Sequence, residues 1–335
     1  MGRKLIESIR GRRSPVKNSQ MPKATHANIK KAATIIRRGG VVAFPTETVY
    51  GLGADGFNPE ACARIFEIKK RPRFDPLILH AATLGQAKKL FLKIPKPALK
   101  LMKKFWPGPL TLVLPKAKAV PGIVTSGLDT VAVRVPAHPA ALKLIKLSGR
   151  PIAAPSANLF GRLSPTTARH VRRQLGKAPD LILDAGKTSV GVESTIIAFM
   201  GSGPVLLRAG GISVEKIERT VGKLFAPERG AKTPLAPGTM KKHYSPAVKL
   251  KLVNDESGAR PGPRAAYLAF SKRPLGKYKK TELLSAKGDL REAAANLFKC
   301  LHSLESAGVS VIYAERVPKR GLGLAIMDRL KRAQH

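Results

Sequence analysis

Two apolar periods alternate along this chain, and that alternation sets its fold. Ile29, Ala32, Ala33 and Ile36 recur at helical spacing and run out at Gly39-Gly40, a common helix stop. Residues 41–44 (VVAF) follow as an unbroken apolar run of strand length. Asn58-Pro59 offers a capping side chain with proline at the first helical position, which predicts a helix through Ile68. Short strands are then expected over 77–80, 111–114, 131–135, 152–154, 181–184, 195–199 and 205–207. Between them fall helices ending at Leu92, Phe105 and Leu147, one starting at Thr166 and one over 214–221. This is the pattern of an α/β or α+β domain on a mixed sheet. Residues 226–247 are rich in Pro, Gly and Lys, show no period and read as a linker. Beyond it, strands at 248–253, 265–270 and 309–314, a helix over 289–307 and another from Gly321 form a small βαβ-type unit. The expected organisation is therefore a basic extension (1–23), a main domain (24–225), the linker (226–247) and a tail domain (248–335).

The densest chemistry lies between residues 44 and 80, FPTETVYGLGADGFNPEACARIFEIKKRPRFDPLILH. Arg71 precedes a proline, which disfavours helix and favours an extended backbone. Residues two apart in an extended segment point the same way, so Lys69 and Arg71 are expected to form a two-cation clamp. Hydroxyls and close-approach glycines flank it, a setting that suits a polyphosphate or a carboxylate. No GxxxxGK[ST] motif occurs, so a nucleotide would be held by another device.

Composition narrows the class. With 335 residues and 43% hydrophobic content the chain can build a sizeable core. No run of about 18 apolar residues exists that would span a membrane. Two cysteines, Cys62 and Cys300, fall in separate helix-like segments, which argues for a reducing compartment and against a disulfide scaffold or cysteine-based zinc. Residues 1–23 are Arg-rich but lack the apolar core of a secretory signal, so the expected location is the cytoplasm. No HExxH, paired-histidine or Asp-rich cluster appears, and no protein-held metal is expected. The net charge of +40 divides as +6 over residues 1–23, +22 over 24–240 and +12 over 241–335. Excess charge spread this evenly either marks a solvated basic surface or serves to attract polyanions such as tRNA or double-stranded RNA.

Nine segments in order are similar to the YrdC/Sua5 family: PTETVYGLG with KKRP, VAVRVP at 131–136, PSAN at 155–158 with SPTTA at 164–168, GVESTI at 191–196, LRAGG at 207–211, PGTMKKHYSP at 237–246 and GLGLAIMDRL at 321–330. The likeness runs from about residue 25 to 333 and resembles the longer, Sua5-type members. It implies a YrdC-like twisted mixed-sheet catalytic domain followed by a small Rossmann-like tail domain. It also implies an enzyme that joins L-threonine, bicarbonate and ATP into threonylcarbamoyl-AMP and pyrophosphate. That product feeds the t6A modification of tRNA, so the tRNA threonylcarbamoyl-transfer machinery is the implied partner. Mg²⁺ would arrive with ATP.

The resemblance also suggests roles. Lys69 and Arg71 would neutralise phosphates during adenylation. Threonine would meet Thr48, His80, Arg134, Ser156 and Ser194, with His80 donating to its carboxylate. ATP would meet Arg71, Asp75, Thr130, Asn158, Thr166, Arg208 and Tyr244. Asp75 stands where the family often has Asn, leaving backbone contact or Mg²⁺ as its roles. Each residue has a plainer reading beside this one. Thr48 and Ser194 suit turn or strand-entry hydroxyls, and His80 suits a structural histidine. Arg134, charged within an apolar strand, needs a buried partner, either the ligand or an acid such as Asp129 or Glu193. Thr130 lies four residues earlier, on the same strand face. Ser156 and Asn158, two apart, either face one ligand or cap the next helix. Thr166 suits an N-cap and Arg208 a surface arginine, while Tyr244 lies in a plain tether or in a strap that gates the site. For the whole chain, the second reading is a non-catalytic RNA- or ribosome-binding protein on the same fold.

Overall fold

The computed structural model of the chain describes residues 21–200, 203–227, 236–238 and 243–334. The basic segment 1–20 and part of the linker lie outside it. Nine strands make the first sheet: β1 (Val42–Phe44), β2 (Gly51–Asp55), β3 (Ile78–His80), β4 (Leu110–Pro115), β5 (Thr130–Arg134), β6 (Ile152–Ala153), β7 (Leu181–Ile182), β8 (Thr195–Met200) and β9 (Gly203–Arg208). Their order is β7-β1-β2-β6-β3-β5-β4-β8-β9. β1/β7, β3/β5 and β4/β8 are parallel and the other pairs antiparallel. The expected mixed sheet is what forms.

Both faces of this sheet are covered, which explains why its strands read as unbroken apolar runs rather than alternating ones. Along β1, Val41 and Ala43 pack with the helices Pro59–Lys69, Lys96–Phe105 and Ala168–Leu175, while Val42 and Phe44 pack with the helices His26–Arg37 and Pro139–Ser148. β2 was missed by the pattern because GLGAD looks like a loop. Gly53 is there for space: a Cβ on it would come within 2.6 Å of Phe44 and Ile152 side chains.

The tail builds a second, all-parallel sheet from β10 (Lys249–Val253), β11 (Gly262–Ala269), β12 (Tyr278–Leu283) and β13 (Val311–Glu315), ordered β10-β13-β11-β12. Strand β12 (YKKTEL) is at the edge and only partly buried, so its polar residues gave no apolar signal. The helices Leu290–Glu305 and Gly323–Gln334 cover one face of this sheet. Their core also takes in Val49, Leu163, Val192 and Tyr244 from earlier in the chain, so the two units share apolar packing.

Polar contacts reinforce that junction. Arg162 pairs with Glu305 at 2.9 Å. His302 stacks on His170 with ring centroids 3.9 Å apart and 30° between planes, its Nε2 3.1 Å from the Ser164 carbonyl oxygen. Burial is the main cause that lowers both imidazoles, His170 to about 3 and His302 to about 4. A histidine whose folded pKa lies below its unfolded value contributes stability that is complete above the unfolded value and lost as pH falls through the folded one. Stability should therefore decline from about pH 6.5 downward, by on the order of 3 kcal/mol for His302 by pH 4. Chemical denaturation at stepped pH checks this, and His302→Gln should flatten the decline.

Candidate active site

The helix Pro59–Lys69 sets up the first wall. Asn58 Oδ1 accepts from the Ala61 amide at 3.0 Å and Pro59 follows, as expected from the sequence. The helix closes at Lys70, which adopts a left-handed conformation (φ 51°, ψ 42°) and turns the chain sharply. The extended register predicted for Lys69 and Arg71 is thus corrected. Lys69 is still helical and sits behind the wall, donating from Nζ to the Ser156 and Asn158 carbonyl oxygens, both at 2.5 Å. Arg71 alone of the pair borders the cavity. The positively charged neighbourhood remains: burial first, and then Arg71, pull the Lys69 ammonium well below its ordinary value, against the opposing pull of Asp75.

Eight of the predicted residues converge on one cavity: Thr48, Arg71, His80, Arg134, Ser156, Ser194, Arg208 and Tyr244. The β3/β5 register places His80 directly beside Arg134. Arg134 is held by hydrogen bonds from Nε to Gly108 O (3.1 Å) and from Nη1 to Thr48 Oγ1 (2.9 Å), and by an ion pair of Nη2 with Glu47 Oε1 (2.5 Å). Its buried partner is therefore Glu47, neither Asp129 nor Glu193. Burial, then Arg134, lowers His80 to about 3, so it is a neutral imidazole whose Nδ1 lies 3.2 Å from the Ile78 carbonyl oxygen. Ser194 Oγ is 2.7 Å from Thr111 Oγ1 and 3.2 Å from Arg208 Nη2. Arg208 is buried rather than a surface arginine, and its Nη1 donates to Pro237 O at 2.9 Å.

The remaining predictions fall outside the cavity wall. Asp75 stands behind Arg71, ion-paired at 2.9 Å and completely buried. Neither of its oxygens has a hydrogen-bond donor among the described residues. Asn158 turns its Nδ2 to Leu159 O (2.7 Å) and Arg162 O (3.0 Å), so it does not share a ligand face with Ser156. Thr166 is buried against His170, and the helix cap is its neighbour Thr167, which accepts from the His170 amide. Thr130 does share the strand face of Arg134 but opens β5 opposite Pro115, roughly 13 Å further along at 3.3 Å per residue.

Sequence reasoning missed Thr46, Glu193 and His243, which also line the cavity, and Glu47 behind Arg134. Thr46 and Glu47 were in view inside PTET, where an acid among hydroxyls was the available signal. It missed Arg329 as well. This arginine is completely buried, pairs with Glu193 at 2.9 Å and places its guanidinium carbon 5.1 Å from the centre of the Tyr244 ring. Its signal was its position: Leu322, Ala325 and Ile326 lead along an apolar stripe to Arg329 and Leu330.

The cavity is small. Its volume is about 50 Å³, room for a water or two and far less than a nucleotide requires. Pro237, Gly238, His243 and Tyr244 form the lid over the cations. Tyr244 carries a positive φ of 61°, uncommon for a bulky residue. Gly238 (φ 76°) passes so close that a Cβ there would lie 2.3 Å from Tyr244 Oη. Gly238→Ala should therefore force the lid off its seat and raise the KM for ATP about tenfold or more, read in steady-state kinetics. Asp75→Asn should act in the opposite direction, lowering the KM for ATP several-fold by removing the carboxylate that competes with phosphate for Arg71.

Comparison with known proteins agrees with this layout. Residues 34–210 match the Sua5/YciO/YrdC family described as "Telomere recombination", and residues 212–334 match the "Threonylcarbamoyl-AMP synthase, C-terminal domain" family. The threonylcarbamoyl-AMP synthase of Pyrococcus abyssi is 47% identical over 324 residues, covering 91% of this chain and 93% of that protein. The Bacillus subtilis enzyme of the same name is 42% identical over 320 residues, covering 91% and 92%. The crystal structure of P. abyssi Sua5 complexed with L-threonine superposes with a TM-score of 0.84 at 44% identity, covering 92% of this chain and 94% of that one.

Proposed function

This chain belongs to the Sua5/YrdC family of threonylcarbamoyl-AMP synthases, and from that membership we infer that it converts L-threonine, bicarbonate and ATP into threonylcarbamoyl-AMP and pyrophosphate, supplying tRNA t6A synthesis. The observation that carries the reading is the convergence of Arg71, Arg208, Arg134, His80, Thr48, Ser156 and Ser194 on one buried cavity. Joining a carbamate to the α-phosphorus brings two anions together, so the site's work is to position them and neutralise charge. A buried set of guanidinium and hydroxyl groups does this without a protein nucleophile.

Roles follow from the wiring. Arg71 and Arg208 take the phosphates. Their guanidinium groups are buried, where charge acts strongly. Thr48, Ser156, Ser194 and Arg134 frame the threonine. Arg134 is oriented by Glu47, and the neutral His80 lies beside it on the cavity wall. Lys69 acts from behind, fixing the loop that carries Ser156. Among the described residues no group of three His, Cys, Asp or Glu side chains converges to ligate an ion. The acids nearest the cavity are committed, Glu47 to Arg134, Asp75 to Arg71 and Glu193 to Arg329. In this reading Mg²⁺ arrives with ATP, held largely by phosphate oxygens and water. Pro237, Gly238, His243 and Tyr244 cover the substrates once they are bound, excluding water from the adenylate. The product passes to the tRNA threonylcarbamoyl-transfer machinery. Among the described residues no helix is long and apolar enough to cross a membrane.

Pyrophosphate release from ATP tests the reading. It should require L-threonine and bicarbonate together, and release that ignored either one would count against it.

A further inference from the structure

Strand β4 reads LTLVLP, and its one polar side chain, Thr111, is completely buried. Alternation along the strand explains where it points. Leu110, Leu112 and Leu114 pack into the core on one face of the sheet, while Val113 packs on the other with Ile78, Ala132 and Ile196. Thr111 shares the face of Val113, and Ile78 on that face also lines the active-site cavity. The parallel register of β4 and β8 sets Leu110 against Thr195 and Thr111 against Ile196, which brings Thr111 close to Ser194 at the entry to β8. Thr111 Oγ1 lies 2.7 Å from Ser194 Oγ, its one hydrogen-bond partner among the described residues.

We infer that Thr111 is a positioning residue for the amino-acid substrate: it donates its proton to Ser194, and so leaves Ser194 with a hydroxyl proton to give to an oxygen of that substrate. Counting protons fixes the direction. If Ser194 donated to Thr111, the Thr111 proton would be buried without an acceptor among the described residues, which is costly. Arg208 can only donate, and its Nη2 lies 3.2 Å from Ser194 Oγ. With Thr111 donating as well, both lone pairs of Ser194 are taken, and its own proton is what remains for the cavity it borders. Thr48 is wired the other way. Thr46 Oγ1 donates to the Val49 carbonyl oxygen at 2.7 Å, so in its 2.8 Å contact with Thr48 it accepts, and the Thr48 proton is spent there. The two cavity hydroxyls therefore differ in polarity, Ser194 offering a donor and Thr48 a lone pair. The buried Thr111 also holds Ser194 in one orientation, and hydrogen bonds linked in this way strengthen one another. The inference rests on the proposed function for the identity of the substrate, L-threonine.

The test is calorimetric titration of L-threonine into the full chain, with steady-state pyrophosphate release measured beside it. Thr111→Val keeps the shape and deletes the donor. It should weaken L-threonine binding and raise the KM for threonine about 5–10-fold, as for one neutral hydrogen bond, and leave the KM for ATP within about twofold. Thr111→Ser restores a hydroxyl and should bind within about twofold of the wild type, with Thr111→Cys, a weak donor, falling between. A double-mutant cycle decides the route. Ser194→Ala alone should weaken threonine binding, and adding Thr111→Val to it should cost nothing further, because Thr111 acts through Ser194. Equal weakening by Thr111→Ser and Thr111→Val, or losses that multiply in the double variant, would make Thr111 a packing residue and overturn the inference. Wild-type affinity in Thr111→Val overturns it too, and strikes Thr111 alone. A wild-type chain that neither binds L-threonine nor releases pyrophosphate in response to it would instead sink the proposed function, and this inference with it.

Discussion

Arg71→Ala should reduce kcat for threonine-dependent pyrophosphate release by about 10²–10³-fold, the cost of deleting a preorganised charged donor from a buried reaction site. Arg71 is held in place by the backbone that follows it, with Nε donating to Asp75 O at 3.0 Å and Nη2 to Pro76 O at 2.8 Å. Phosphate therefore meets a guanidinium already aimed. The substitution has a second consequence, because it strands the fully buried Asp75 carboxylate. Breaking a buried pair from one side costs about 3–5 kcal/mol of stability. The two effects separate in Arg71→Ala/Asp75→Asn, which should recover most of the stability and none of the turnover. Lys69→Ala should also cripple the enzyme, by a different route: the Ser156 and Asn158 carbonyl oxygens lose their shared donor, and the loop between them loosens. Its loss should appear mainly in the KM for threonine, since Ser156 borders the cavity and Lys69 does not.

Arg329→Ala is the second large effect, and it arises in the tail domain. Arg329 donates to Glu193 Oε2 at 2.9 Å and to Ala209 O at 2.7 Å, and its guanidinium lies against the Tyr244 ring. One side chain of the last helix thus ties together the cavity wall, the turn after β9 and the lid. Removing it leaves Glu193 buried with Ser164 Oγ, 2.5 Å away, as its remaining side-chain donor among the described residues. We expect a stability loss of about 3–5 kcal/mol and a raised KM for ATP, read by urea denaturation and steady-state kinetics. Glu193→Gln/Arg329→Met removes both charges and should restore stability. It should not restore the KM, because the lid still lacks its cationic partner.

Much of the fold was legible because burial on both sheet faces turns strands into apolar runs between capped helices. The helix over 214–221 and the cap at Asn58-Pro59 sit where the periodicity puts them. Strands that escaped did so for a physical reason: β2 carries two glycines in five residues, one of them, Gly53, at close approach, and β12 is a polar edge. At the site, the motifs found the right segments, while their wiring depended on three dimensions. Pre-proline stereochemistry reads Arg71 correctly as leaving the helix. It says nothing of the left-handed Lys70, which sends Lys69 and Arg71 to different partners. Arg134 demanded a buried acid, and the acid proved to be Glu47, 87 positions earlier, which only the sheet brings near. Arg329 sat on an apolar stripe, where a charge implies a distant buried partner, yet the sequence could not say that the partner was Glu193.

The central claim is that this cavity builds one carbon from bicarbonate into a bond between threonine and AMP. Mass spectrometry of the product formed from ATP, Mg²⁺, L-threonine and ¹³C-bicarbonate tests it most directly. The account predicts a threonine–nucleotide adduct that carries the ¹³C label and is missing when bicarbonate or threonine is withheld. An unlabelled threonyl adenylate, or no adduct from folded protein that binds ATP, would contradict it.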